Sequence, residues 1–164
     1  MLKHINVGSN SVVSNVDDEM IQPNAIDLRV DSVYRMSNDT FKIDKNNNKT
    51  HRGSTPIESV DNKWYLTPGC YEIITNHVVT IPRNECGWVV TRSTFVRNGC
   101  FVVSGLYDSG FSGKVGCLLV VMGGDVEIER GTRLGQFVIS TAETAELYSG
   151  SYGSASTFDQ VRYS

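Results

Sequence analysis

The stretch GLYDSGFSG, residues 105–113, sets one carboxylate, Asp108, among three glycines and two aromatic rings. Taken alone, Asp-Ser-Gly between apolar runs is turn chemistry, with the aspartate capping the bend through its side chain. Whether the acid has a second job depends on what the rest of the chain brings to it. TRSTFVRNG, residues 91–99, brings basic and hydroxyl groups. Ser93 at the start of a helical turn, as its N-cap, sets a hydroxyl beside free backbone N–H groups, a natural cradle for phosphate. Arg92 and Arg97 add charge-assisted donors able to grip an anion in a bidentate way. The plainer alternative is a capped helix with two solvated arginines.

The elements that must position these groups are strands. AIDLRVDSVYRM (25–36), WYLTPGCYEIIT (64–75), HVVTIP (77–82), CGWVVT (86–91), CFVVSGLY (100–107), KVGCLLVVM (114–122), DVEIE (125–129) and RLGQFVIS (133–140) all carry apolar or alternating patterns. LLVV is apolar on both faces, which predicts a buried central strand. VVMGGDVEIE predicts a hairpin turned by its Gly-Gly pair. Only STFVRN (93–98) predicts helix. Many short strands at regular spacing with almost no helix define an all-β sandwich, jelly roll or barrel. DKNNNKTHRGSTPIE (44–58) is too polar to pack and is expected to be a mobile surface loop. No repeat or domain boundary is visible.

With 164 residues the chain suits one domain with a substantial core. A net charge of −3 argues against a broad nucleic-acid footprint. No run is long and apolar enough for a membrane span, and the N-terminus lacks a secretory layout, so a cytoplasmic protein is expected. Cys70, Cys86, Cys100 and Cys117 contain no CxxC pair; each sits among apolar neighbours and is expected to be a reduced core thiol.

Five segments in this order, AIDL (25–28), TRSTFVRNG, GLYDSGFSG, GTRLGQF (131–137) and GSYGSAS (150–156), resemble the trimeric dUTPase and dCTP deaminase superfamily over roughly residues 20–156. The resemblance implies a dUTPase-like β jelly roll (β-clip) over 1–147, with one short central helix, and a mobile C-terminal arm over 148–164. It implies a homotrimer with shared active sites, a deoxynucleoside triphosphate substrate and Mg2+. In such a site Asp108 would activate the water that attacks the α-phosphate. Arg92, Ser93, Thr94, Arg97 and Gln136 would bind the phosphates, and Asp27 and Gln136 would act at the metal through water. Gly105, Phe111 and Gly113 would meet the sugar and base, with Gly110 and Gly113 allowing a close backbone approach. Tyr152 and Ser154 of the arm would close over the nucleotide, Tyr152 by stacking. Leu147 stands near the place of the arginine that usually precedes the arm motif, so clamping of the γ-phosphate there is not implied.

The two branches of the superfamily differ at the base. Deamination of cytosine needs a proton shuttle, and the deaminases use a glutamate on the strand after the glycine-rich segment. Here that place holds Leu118, with no carboxylate between Asp108 and Asp125. A leucine cannot move a proton. The expected activity is therefore release of pyrophosphate from dUTP by a divergent dUTPase, of a kind associated with phage or prophage genomes. Arg97 and Phe111 look more deaminase-like, which keeps open dCTP deamination, another dNTP pyrophosphatase activity, or a nucleotide-binding protein that turns nothing over.

Overall fold

The computed structural model describes residues 1–163. Its strands are β1 (Leu2–Lys3), β2 (Val12–Val13), β3 (Ile21–Gln22), β4 (Ala25–Met36), β5 (Lys42–Ile43), β6 (Lys49–Thr50), β7 (Ser54–Pro56), β8 (Lys63–Leu66), β9 (Gly69–Thr80), β10 (Glu85–Thr91), β11 (Cys100–Val103), β12 (Ser112–Val121), β13 (Val126–Glu129) and β14 (Arg133–Thr141). Two short α-helices are described, α1 (Ser93–Arg97) between β10 and β11 and α2 (Thr157–Arg162) after β14, with a 3-10 turn at Asp18–Met20. Ten strands form one curled antiparallel sheet along the path β1-β14-β4-β9-β12-β11, with β10, β2, β3 and β7 added to it. This is the expected all-β, jelly-roll-like fold.

β4 makes the sheet curl. Its first half pairs with β14 and its second half with β9, and the register shifts between Val30 and Ser32. A bulge of this kind bends a strand and lets it serve two layers. Ile26, Leu28, Val30 and Val33 of β4 lie in the core beside Trp64, Tyr71, Leu119 and Phe137. Each such side chain contributes about 2 kcal/mol by leaving water. β12 is central as expected, between β9 and β11. Its two faces are unequal: Leu119 and Val121 are buried, whereas Leu118 and Val120 are half-buried.

Four expectations need correction. β13 does not form a hairpin with β12; it crosses to β8, so that Ile128 packs near Trp64 and Leu66 in the core. The polar stretch after residue 43 is exposed yet carries β6 and β7. The Asp44 carboxylate draws in the amides of Asn46 and Asn48, closing a small β5–β6 turn, and β7 pairs with the end of β4. Only Cys100 and Cys117 are core thiols; Cys86 is half-buried and Cys70 exposed, all four being free. Arg92, not Ser93, holds the N-cap of α1, because its carbonyl accepts from the amides of Phe95 and Val96.

Glu85 fastens the N-terminal segment to β10. Only 2% exposed, it accepts hydrogen bonds from the hydroxyls of Ser9 and Ser11 at 2.6 Å, from the amides of Asn10 and Ser11, and from Lys3 Nζ at 3.0 Å. Burial alone would raise its pKa, but these donors outweigh burial and bring it down to about 2. Its carbonyl accepts from Ser109 Oγ, next to Asp108. Because the folded pKa lies below the unfolded one, this stabilisation is complete above the ordinary carboxylate range and disappears as pH falls from there towards 2. We expect Glu85→Gln to lower the urea-derived stability by about 2–3 kcal/mol near neutral pH, and the gap from wild type to shrink towards pH 3. A gap that does not change with pH would contradict this role.

Candidate functional site

The first group of candidate residues gathers where β4, β14 and α1 meet. The antiparallel register sets Asp27 directly opposite Gln136, and Gln136 Nε2 donates to Asp27 Oδ1 at 3.0 Å. Asp27 is completely buried. Its Oδ2 lies 3.4 Å from Arg92 Nε and 3.4 Å from Arg133 Nη1, yet it accepts no well-formed hydrogen bond among the described residues. Arg92 is fixed from both ends: its amide donates to the Leu134 carbonyl and its Nη1 to the Arg133 carbonyl. Asp27 neutralises one of these two guanidinium charges, while Arg29, opposite Arg133, pairs with Asp17 and Glu19 at the edge of the cluster. Both Arg92 and Arg133 are about 30% exposed (28% and 31%), so their guanidiniums face solvent and suit a polyanion. Arg133 was not singled out from the sequence; its only signal was its place in GTRLGQF. Ser93, Thr94 and Arg97 lie exposed on α1, beside this cluster in sequence.

The second group lines a groove of about 940 Å³. Gly105, Phe111 and Leu118 line it from the sheet, and Tyr152 and Ser154 from the arm. Phe111 is both core and wall: it is buried and meets Tyr107 edge-on at 5.0 Å and Tyr148 at 5.5 Å. The expected close approach at Gly113 exists, but the arm makes it. A Cβ on Gly113 would stand 2.7 Å from Gly153 Cα. At Gly110, φ is +92° and a Cβ would meet Leu147 at 3.0 Å, so a glycine is needed there on both counts. The groove also holds Glu72, the cross-strand partner of Leu118. Sequence reasoning missed it, although it is the lone acid in the apolar run CYEII. Burial pushes the Cys117 thiol, in the groove wall, up to about 12, so it stays protonated and is no nucleophile.

Asp108 sits in the bend between β11 and β12. The bend is rigid: Phe111 N–H donates to the Asp108 carbonyl, Gly110 N–H to Ile81, and Tyr107 and Gly87 exchange two backbone hydrogen bonds. The Asp108 carboxylate is exposed and makes no side-chain hydrogen bond or ion pair among the described residues, although burial and its charge together raise the pKa of the nearby Cys86 thiol. Asp108 lies in a second depression of about 330 Å³, which shares Leu106 and Tyr148 with the groove. Within one chain, then, Asp27, Arg92 and Gln136 are together, and Gly105, Phe111, Tyr152 and Ser154 are together. The first set does not line the groove.

The arm, expected to be mobile, is folded against its own chain. Tyr148 N–H donates to Ser109, Ser154 N–H to Ser112, and α2 follows. Ser164, the last residue of that expectation, lies outside the described residues.

The model of the dCTP deaminase-like family matches residues 1–142, and the chain belongs to that family. A curated relative from Halobacterium salinarum, named probable deoxyuridine 5'-triphosphate nucleotidohydrolase, is 34% identical over 146 residues, covering 85% of this chain and 87% of its own. One of the same name from Methanococcoides burtonii is 30% identical, with 82% of each covered. Among solved structures, the 2'-deoxycytidine 5'-triphosphate deaminase of Agrobacterium tumefaciens aligns with a TM-score of 0.60 at 16% identity, over 82% of this chain and 43% of that one. The dUTPase of Staphylococcus bacteriophage 80alpha aligns with a TM-score of 0.52 at 16% identity, over 87% and 97%. These two likenesses establish the fold.

The Asp27 cluster makes a non-additive prediction. Removing either arginine leaves the carboxylate one cation, whereas removing both leaves a buried, uncompensated charge. Thermal unfolding of Arg92→Ala, Arg133→Ala and the double variant should show the double costing at least about 1 kcal/mol more than the sum of the singles. Simple additivity would mean that Asp27 does not depend on the pair.

Proposed function

We propose that the protein is a dUTP diphosphatase that converts dUTP to dUMP and pyrophosphate, at sites shared between the chains of a homotrimer. The observation that carries this over the deaminase branch is Leu118. It faces the groove where a deaminase would need its proton-carrying glutamate. The names of the curated relatives point the same way.

In this reading the groove receives deoxyribose and uracil. Phe111 supplies a flat, immobile surface under the sugar, Gly105 and its neighbours offer backbone groups to the base edge, and Tyr152 stacks from the arm with Ser154 beside it. The solvent-facing guanidiniums of Arg92 and Arg133, with the hydroxyls of Ser93 and Thr94 and the guanidinium of Arg97, bind the triphosphate. Asp108, held in hydrogen-bond reach of solvent by its clamped bend, accepts a proton from the water that attacks the α-phosphate.

No group of three metal-ligating side chains occurs among the described residues, so one chain by itself offers no direct ligand set. Through water the fit is partial: Gln136 is half-buried and open to a magnesium-bound water, whereas Asp27 is completely buried with Oδ2 facing two guanidiniums, so that carboxylate does not reach the ion's waters. When bound, magnesium neutralises triphosphate charge and polarises the phosphoryl oxygens.

Two observations support shared sites. The phosphate cluster and the nucleoside groove are separate within one chain, so a second chain has to bring one to the other. Val90, Val96, Phe101, Val103 and Leu106, on β10, α1, β11 and the segment after it, are also exposed, the apolar surface that a subunit interface would cover. No helix among the described residues is long and apolar enough to cross a membrane.

A second reading rests on Glu72. As the cross-strand neighbour of Leu118, it puts a carboxylate into the same groove and could serve dCTP deamination. A panel of dNTPs with Mg2+, scored for pyrophosphate and for ammonia, decides. We expect pyrophosphate from dUTP and no ammonia from dCTP, and Asp108→Asn should cut turnover at least about 1000-fold while nucleotide binding persists. Ammonia release would favour the second reading, and undiminished turnover by Asp108→Asn would remove that residue from the mechanism.

A further inference from the structure

The dUTPase reading uses the arm only as far as Ser154, yet the densest polar cluster near the groove lies beyond it. Arg162 donates Nε to both oxygens of Glu72 at 3.2 and 3.1 Å and Nη2 to Oε2 at 3.0 Å. Tyr163 Oη donates to Glu72 Oε1 at 2.5 Å, and Ser54 Oγ to Oε2 at 2.9 Å. Arg162 also reaches the Arg52 carbonyl with Nη1 at 2.9 Å, and the Tyr163 ring meets Tyr34 edge-on at 5.7 Å. The Glu72 and Arg162 side chains are only 17% and 14% exposed, so water competes weakly for this multidentate pair.

The cluster is tied mechanically to the arm. Asp159, one turn earlier on α2, accepts from Gly153 N–H at 2.5 Å, and Gln160 Nε2 donates to the Ser154 carbonyl. Ser156 caps α2. Phe158 meets Tyr152 at 5.4 Å, and Lys49 Nζ lies 5.7 Å from the centre of the Tyr152 ring. Gly153 and Ser154 in turn rest on Gly113 and Ser112 at the groove rim. The groove remains roomy beneath, so the arm roofs it and does not fill it.

We propose that α2 is a latch, in which Glu72 gripped by Arg162 and Tyr163 holds the stacking arm over its own chain's groove before any nucleotide arrives. The conformational entropy of ordering residues 150–156 is then lost on folding and not on binding, which strengthens binding through preorganisation. The latch is independent of the nature of the ligand; its effect on substrate rests on the dUTPase reading above.

Hydrogen–deuterium exchange on the full-length, nucleotide-free protein tests the latch directly. The amides of Gly153, Ser154 and Ser156 should be protected in wild type and exchange at least about tenfold faster in Arg162→Ala, with intermediate rates in Arg162→Lys and Tyr163→Phe. Arg162→Ala should also raise KM for dUTP about fivefold or more, with kcat changed by less than about twofold. Equal protection in wild type and Arg162→Ala would overturn the latch. Lost protection with unchanged KM would overturn its role as a roof over substrate. A protein that hydrolyses no dUTP would overturn the activity proposed above, while the exchange rates would still decide the latch.

Discussion

A carboxylate without access to water governs the architecture of this protein. Asp27 lies in the first half of the strand that bends between two layers, and burying a lone charge there would cost several kcal/mol. Gln136 and the guanidiniums of Arg92 and Arg133 make that burial tolerable, and the same contacts fix where they lie. Arg92 is thereby drawn to the head of α1, which sets the exposed face of Ser93 and Thr94 next to it. A buried acid therefore orders an exposed basic patch. Asp27 alone faces two cations, with Arg29, Asp17 and Glu19 adjoining, and the solvent-facing guanidiniums are what make the patch receptive to phosphate.

The second consequence concerns what one chain lacks. The basic cluster belongs to β4, β14 and the end of β10, whereas the roofed groove belongs to β9, β12 and the arm. The basic cluster does not line the groove, and in the proposed trimer association of chains would bring the two to one ligand. The lone Asp108 is presented on a bend clamped by Gly87, Ile81 and Ser109, with its carboxylate exposed, and the proposed trimer would bring to it a phosphate held by another chain. The proposed trimer thus rests on incompleteness as much as on resemblance.

Much of this was legible in the residues. β4, β10, β12 and β14 lie where alternating or continuous apolar runs put them, because a strand's period of two survives packing detail, whereas α1 was legible from its start signal and not from periodicity. The β12–β13 hairpin failed because Gly-Gly specifies a turn but not the partner, and Ile128 pairs opposite Trp64 in the core. Asp27 and Gln136 were expected together at a metal site by resemblance, but their direct hydrogen bond depends on a cross-strand register more than a hundred residues apart in sequence. Glu72, Arg162 and Tyr163 were invisible for the same reason: α2 is too short to announce itself by periodicity, and its role exists only through a distant strand.

The central claim is that Arg92 of one chain and Asp108 of another complete a single hydrolytic site. Arg92→Ala and Asp108→Asn proteins, each inactive alone, should therefore be coexpressed in equal amounts and assayed for pyrophosphate release from dUTP. Random mixing gives about a quarter of the sites one intact copy of each residue, so roughly a quarter of wild-type activity should return. If mixed oligomers form and no activity returns, the two residues do not meet across chains and the proposed shared site is wrong.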